Sequence, residues 1–331
     1  MAKKTSIAWC DSTANSVIGC TKISDGCKFC YAVRCAPARI LRAGGVETWG
    51  EGGTRVAVSG FSSSMQAMNR KPWVCSVCGT MMNPAESLEH EHDAKHPQFR
   101  QRRVFVNSMS DWLDEKWPIG WLAEFLSVVG SCANLEVIMC SKRPHLFYNR
   151  LRSVVDLIVR TGDYQTVLPW LVQWVKGGVA PKHITVMWSV CNQWEANKII
   201  PLAARLPAAR RALSFEPLLG PVGVQTASVP LNFNGRLNPI SQFDQVVIGG
   251  ESGKRARPSY DKWIRDLAKQ CKRAGCSVFI KQVGSNPFTN SIRLWPDGTK
   301  FLAKSPQLVS ADGTDSAEWP EDLRLQEWGR Q

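Results

Sequence analysis

Three cysteines stand close together near the start of the chain, Cys20, Cys27 and Cys30, in the run Gly-Cys-Thr-Lys-Ile-Ser-Asp-Gly-Cys-Lys-Phe-Cys-Tyr-Ala. Thiolates are the protein ligands of iron–sulfur clusters, and three of them leave one iron of a [4Fe–4S] cluster without a protein ligand, open to chemistry. Gly19 and Gly26 each precede a cysteine and give such a loop backbone freedom and room. Phe29, between the last two thiols, serves as an apolar shield. The Cys-x2-Cys hook is equally a zinc hook, and Cys35 or Cys10 would then supply the fourth ligand. Ligand softness and count favour the cluster.

A second metal-type set lies in residues 71–99, which read as a small insertion. Cys75 and Cys78 form another Cys-x2-Cys, followed by Asn83-Pro84-Ala85-Glu86 and then His90, His92 and His96. Asn83 caps a helix with Pro84 at its first position and Glu86 completing a capping box. On that helix Leu88, His92 and His96 share one face. Cys75, Cys78, His92 and His96 match a Cys2His2 zinc site with thirteen residues between Cys78 and His92, and His90 is the alternative to His92. The helix carries Glu86, Glu89, Glu91 and Asp93 against Lys95, so phosphate would repel it. A metal clip for a loop too small to have its own core is the better reading.

The elements that must position these groups follow a β/α rhythm. Short β-branched or apolar runs recur, each ending in polar residues and followed by a helix-like stretch. They are Arg103 to Val106, Leu135 to Cys140, His183 to Trp188, Arg211 to Phe215, Gln245 to Ile248 and Ser277 to Ile280, preceded by a short first strand near Asn15 to Ile18. The fold class is α/β, a partial (β/α) barrel. In parallel barrels the loops at the carboxyl ends of the strands converge on one mouth. Asp111, Lys142, Asn192, Glu216, Glu251 and Lys281 fall at such ends, so they are expected to ring one cavity that faces the cysteine loop.

The chain has 331 residues, 44% of them apolar, enough for one barrel domain over 1–331 with the insertion inside it. Its first residues lack the apolar core of a signal peptide, and no run approaches a membrane span, so the cytoplasm is expected and no membrane partner. Twelve cysteines in that setting mean thiols and metal ligation rather than disulfides. Cys132, Cys140, Cys191, Cys271 and Cys276 are scattered and read as buried small hydrophobes. The net charge is +13, and Lys254 to Arg273 holds eight basic residues against Asp261 and Asp266. Such stretches attract polyanions, nucleic acid among them. The tail over 300–331 is acidic and is expected to pack on the barrel through Trp319, Leu323 and Trp328.

Taken together, these segments resemble a family of phage-associated proteins with a three-cysteine motif, of unassigned function and related in motif to radical S-adenosylmethionine enzymes. The resemblance covers Thr5, Ile7, Trp9, Asp11 and Asn15, then Gly19-Cys20 to Cys30-Tyr31-Ala32, Val106 to Asp111, and Lys142-Arg143-Pro144. It continues through Ser189-Val190, Asn192-Gln193, Glu216 to Pro221, Gly249 to Gly253, Ala256-Arg257-Pro258 and Lys281-Gln282. Radical enzymes usually show Cys-x3-Cys-x-aromatic-Cys, whereas six residues separate Cys20 from Cys27 here. Ala8, Cys10, Ala14 and Cys191 stand where the family usually has glutamate, threonine, tryptophan and glutamate. Gly249-Gly250-Glu251 comes late, and the zinc-like insertion is no general feature of the family.

The resemblance implies a [4Fe–4S] cluster on Cys20, Cys27 and Cys30. S-adenosylmethionine would chelate the open iron and be cleaved reductively to a 5′-deoxyadenosyl radical. Phe29, Tyr31, Asn107, Ser108, Gly249, Gly250 and Glu251 would form the cofactor site. Asp111, Lys142, Asn192, Glu216 and Lys281 would carry catalysis, with Glu251 or Asp111 holding a cationic amine and Lys142 or Lys281 an anionic group. The function implied is modification or repair of a nucleic acid or nucleotide, with a partner protein as a further expectation. The alternative is a metal-stabilised nucleic-acid-binding protein without radical catalysis.

Overall fold

In a computed structural model, residues 5–91, 98–224, 229–230, 236–237, 239–294, 300–304 and 314–328 are described. Seven parallel strands form one curled sheet, a half-barrel. In spatial order they are β1 (Ser12–Ala14), β2 (Arg103–Val106), β3 (Glu136–Ser141), β4 (Ile184–Ser189), β5 (Arg210–Phe215), β6 (Gln245–Gly249) and β7 (Ser277–Gln282). Six of them fall where the apolar runs place them. The first does not: Val17–Ile18 pairs antiparallel with Val56–Ala57, outside the main sheet. The cause is local, because the Asn15 Oδ1 accepts from Met109 N at 2.9 Å and Ser16 N donates to Asn107 Oδ1 at 2.9 Å. These bonds draw the chain out of the ladder after Ala14.

Strand side chains alternate between faces. Val104, Val106, Val137, Met139, Val186 and Val246 point to the helix layer and belong to the main core, while Phe105, Ile138, Met187, Ala212, Val247 and Phe279 form a separate cluster on the concave side. The outer layer is α1 (Ile119–Gly130), α2 (Phe147–Thr161), α3 (Leu168–Gly177), α4 (Gln193–Ala203) and α5 (Asp261–Arg273). In α5, Ile264, Leu267, Ala268 and Cys271 are buried, the i, i+3, i+4, i+7 stripe of a helix laid on a sheet. Cys132, Cys271 and Cys276 are core residues, as the sequence suggests. Among the described residues no helix is long and apolar enough to cross a membrane.

The insertion forms a three-stranded antiparallel ribbon, with Trp73–Cys75 between Met81–Met82 and Phe99–Gln101. The expected capping box is present: Glu86 N donates to Asn83 Oδ1 at 2.8 Å, and Asn83 N to Glu86 Oε2 at 2.9 Å. The helix it starts runs only Pro84–Leu88, shorter than expected, and Leu88 is exposed. His92 and His96 lie outside the described residues.

The tail covers the open side of the half-barrel. Ile280 N donates to Leu325 O at 2.7 Å and Glu327 N to Val278 O at 3.0 Å, so the segment runs antiparallel along the free edge of β7. Trp319 and Leu323 are buried, and Trp328 stacks on Trp9, just before β1, with ring centroids 6.0 Å apart. One stacked pair thus spans the two edges of the sheet. Trp319→Ala is expected to cost about 3–5 kcal/mol in denaturant unfolding. A loss below about 1 kcal/mol would place the tail outside the cooperative unit.

Candidate functional site

The period of two that builds the concave cluster continues upward into polar residues. From Ile138 the inner face runs to Cys140 and Lys142; from Met187 it runs to Ser189 and Cys191; from Ala212 to Ser214 and Glu216; from Phe279 to Lys281. A cavity of about 210 Å³ opens there, floored by Trp9, Phe105 and Met187 and walled by Asp111, Lys142, Glu216, Glu251 and Lys281. Cys20, Cys27, Phe29, Cys30 and Tyr31 line the same cavity. The three half-buried thiols therefore meet the polar strand ends.

The cysteine loop is fastened from both sides. Gly19 adopts φ 111°, and a Cβ there would meet Thr48 O at 2.4 Å, so both the turn and the space require glycine. Thr21 N donates to Asp114 Oδ2 at 2.9 Å, and Asp114 pairs with Arg55 at 2.7 Å with both side chains buried. Arg143 donates to Thr21 O at 2.8 Å and pairs with Asp111 at 2.5 Å, with its Nη1 3.8 Å from Cys20 Sγ. The Tyr31 hydroxyl donates to Ser108 O at 2.8 Å. On the far side Arg257 reaches Asp25 O at 3.0 Å and lies over the Phe29 ring, 5.3 Å from its centroid.

The two carboxylates expected to hold a cationic amine, Asp111 and Glu251, are already occupied, and so is Glu216. Asp111 takes Arg143, Glu216 takes Lys281 at 2.8 Å, and Glu251 takes Arg257 at 2.6 Å. Burial acts to raise Glu251, but the Arg257 guanidinium and backbone N–H outweigh it and hold its carboxyl below the ordinary value. Lys142 differs. Its Nζ contacts Ser189 Oγ at 2.6 Å and Cys191 Sγ at 3.2 Å and makes no ion pair within 4.0 Å among the described residues. Burial opposes its charge, yet the sulfurs of Cys191 and Cys27 raise it above the usual lysine value. Burial pushes the Cys20 and Cys30 thiols up. The Asn107 side-chain Nδ2 is buried and has no hydrogen-bond partner among the described residues, while its Oδ1 accepts from Ser16.

Two expected site residues, Asn192 and Gly249, stand elsewhere. Asn192 does not line the cavity but caps α4, accepting from Glu195 N at 2.9 Å. Gly249 lies behind Glu216 rather than at the surface of the cavity. His92 and His96 fall outside the described residues, and it is His90 that approaches the insertion cysteines: the ligand atoms of Cys75, Cys78 and His90 all lie within 4.8 Å of one another. The Thr80 hydroxyl, 3.0 Å from Cys78 Sγ, helps bring that exposed thiol down to about 6. Cys10, a possible fourth ligand for the first loop, sits in the concave cluster, where burial pushes it up to about 12.

Cys20, Cys27 and Cys30 are not gathered as tightly as the Cys75 set. A tetrahedral zinc with bonds of about 2.3 Å would hold sulfurs roughly 3.8 Å apart. The three thiols lie beside the cations of Lys142 and Arg143.

Sequence reasoning missed Cys140, Cys191, Arg143 and Arg257. Cys140 lines the cavity, and a Cβ on Gly26 would meet Cys191 Sγ at 2.1 Å, so Cys191 touches the cysteine loop. Counting by twos from Met187 was the available signal. Gly26→Ala is expected to destabilise the fold by about 1–3 kcal/mol through overpacking, and adding Cys191→Ala should recover most of that loss. Strictly additive effects in denaturant unfolding would show that the two residues do not touch.

Over residues 4–308 the sequence matches a family described as "Protein of unknown function (DUF5131)". Nothing among the curated proteins or the solved structures matches it. With nearly the whole chain covered, the protein belongs to that family of unknown function (DUF5131).

Proposed function

We propose that this protein is a radical S-adenosylmethionine-type enzyme that holds a [4Fe–4S] cluster on Cys20, Cys27 and Cys30 and acts on a nucleic acid or nucleotide. The observation that carries this reading is that three thiols of one loop and the inward-facing polar ends of the parallel strands line a single cavity. When bound and reduced, such a cluster supplies the electron that cleaves the sulfonium of S-adenosylmethionine.

The chain's own residues have separable tasks. The Lys142 ammonium offsets the negative charge that deprotonated thiols bring, and Arg143 does the same beside Cys20. Asn107 Nδ2 is a buried donor awaiting an acceptor, suited to an oxygen of cofactor or substrate. Since Asp111, Glu216 and Glu251 are neutralised by their own cations, an incoming amine has to share a carboxylate with a guanidinium or a lysine. Trp9, Phe105 and Met187 keep the floor dry.

For the substrate, the basic stretch counts for less than its sequence suggests. Arg257, Lys262, Arg265 and Lys272 are paired with Glu251, Asp266, Asp322 and Glu327. Lys254 and Arg255 remain exposed, next to Glu251 and Ser252 at the cavity rim. A polyanion would meet the protein there.

Anaerobically assembled protein is expected to carry about 4 iron and 4 sulfide per chain, and to release 5′-deoxyadenosine from S-adenosylmethionine under dithionite, faster with DNA, RNA or nucleotides present. Cys30→Ala should lose the iron. Iron unchanged in Cys30→Ala, or an intact cluster with neither cofactor binding nor cleavage, would overturn the proposal. Removing a cation beside the cluster disfavours added negative charge, so Lys142→Met should move the midpoint potential to a more negative value. An unchanged potential in a redox titration would set Lys142 apart from the cluster.

A further inference from the structure

The insertion brings together a separate cluster of metal-ligating side chains, Cys75, Cys78 and His90. We infer that Cys75, Cys78 and His90 bind one zinc ion that locks the ribbon against the β1 edge of the half-barrel, independently of the cysteine loop. Cys78 Sγ and His90 Nε2 are 3.4 Å apart. Zinc bonds of about 2.3 Å to sulfur and about 2.0–2.1 Å to nitrogen, set at the tetrahedral angle, put the two atoms roughly 3.5 Å apart. With Cys75 in the same group, the ligand atoms are already within 4.8 Å of one another.

The surroundings are those of a metal knuckle. Between the cysteines, Val77 N points at Cys75 Sγ from 3.4 Å, and Gly79, at φ 71°, turns the chain so that its N–H meets Cys75 O at 3.0 Å. An N–H directed at a thiolate stabilises it as a ligand. The His90 ring stands edge-on to Phe99, 6.2 Å between centroids, which orients the imidazole. The ribbon has few apolar side chains to hold it without a metal: Val74 and Met82 are its fully buried ones besides Cys75. A unit of this size gains its order from a metal.

The role follows from where the ribbon is attached. Phe99–Gln101 pairs with the strand carrying Cys75 and leads, one residue on, into β2. Arg100 grips Asp11 through both guanidinium nitrogens, at 2.6 and 2.7 Å, and Arg102 reaches Ser12 Oγ at 2.7 Å. Asp11 follows Trp9 and Cys10, and Ile7 and Trp9 wall the cavity. None of the three zinc ligands lines the cavity. The centre is therefore structural, holding the edge that carries part of the cavity wall.

Metal analysis of the full chain should give one zinc, with two sulfur ligands by X-ray absorption, beside whatever iron is present. His90→Ala and Cys78→Ser should each lose the zinc, and Cys30→Ala should keep it. In the unmutated chain, a zinc chelator should make residues 71–99 sensitive to proteolysis and speed amide exchange at Trp9–Ser12. Stoichiometric zinc in His90→Ala, loss of zinc in Cys30→Ala, or unchanged proteolysis after the metal is stripped would each overturn the inference. Iron and 5′-deoxyadenosine are read separately, so failure of the cluster proposal leaves this result standing.

Discussion

The Arg143 guanidinium holds the site together. It is buried, pairs with Asp111 at 2.5 Å, donates to Thr21 O at 2.8 Å, and stands beside Cys20. A buried charge is tolerable only when its donors are satisfied, and the partners here come from the loop after β2 and from the cysteine loop. Satisfying one side chain therefore fixes two segments far apart in sequence. Asp111 in turn accepts from the Ser141 hydroxyl and Lys142 N, so the end of β3 joins the same network. Cys20 and Cys30 also pack against an apolar cluster of Ile18, Ala32, Trp49 and Met109, to which these ion pairs and backbone carbonyls add.

That arrangement explains which parts of the molecule were legible in the sequence. The half-barrel was, because its strands carry the apolar runs of a sheet covered on both faces. The ring of Asp111, Lys142, Glu216, Glu251 and Lys281 was too, since parallel strands must deliver their carboxyl ends to one mouth. Asn192 misled because a polar residue at a strand end serves equally well as a helix cap, which is its job before α4. Cys191 is buried, as the sequence suggests, and its phase with Met187 on β4 is what turns it toward the cysteine loop.

Long-range charge pairing was not legible. Glu216 finds Lys281, and Arg265 finds Asp322 in the tail, across distances in sequence that no local pattern records. In the stretch that reads as strongly basic, Arg265 and Lys272 pair with acids of the tail, Lys262 with Asp266 inside the stretch and Arg257 with Glu251 just before it. In the insertion the capping box was plain, but nothing in the sequence marked the helix as ending at Leu88; His90, the alternative to His92, stands 3.4 Å from Cys78 Sγ.

Three carboxylates tie these outlying parts to the barrel, and all three are held below their ordinary values. Burial would raise each, but Arg100 outweighs it at Asp11, Thr21 N with Arg143 and Arg55 at Asp114, and Arg257 at Glu251. A carboxylate whose folded pKa is depressed contributes stability that is present above its unfolded value, 3.8 for aspartate and 4.5 for glutamate, and lost as pH falls through the lower folded value. Asp11 fastens the ribbon, while Asp114 and Glu251 fasten the two sides of the cysteine loop, Glu251 through Arg257. Acid thus acts first on the tethers and last on the apolar sheet, whose burial does not titrate. Binding a metal at the thiols is opposed in the same direction, because Cys20 and Cys30 must give up protons that burial helps them keep. Loop attachment and thiolate formation are both favoured well above the carboxylate range.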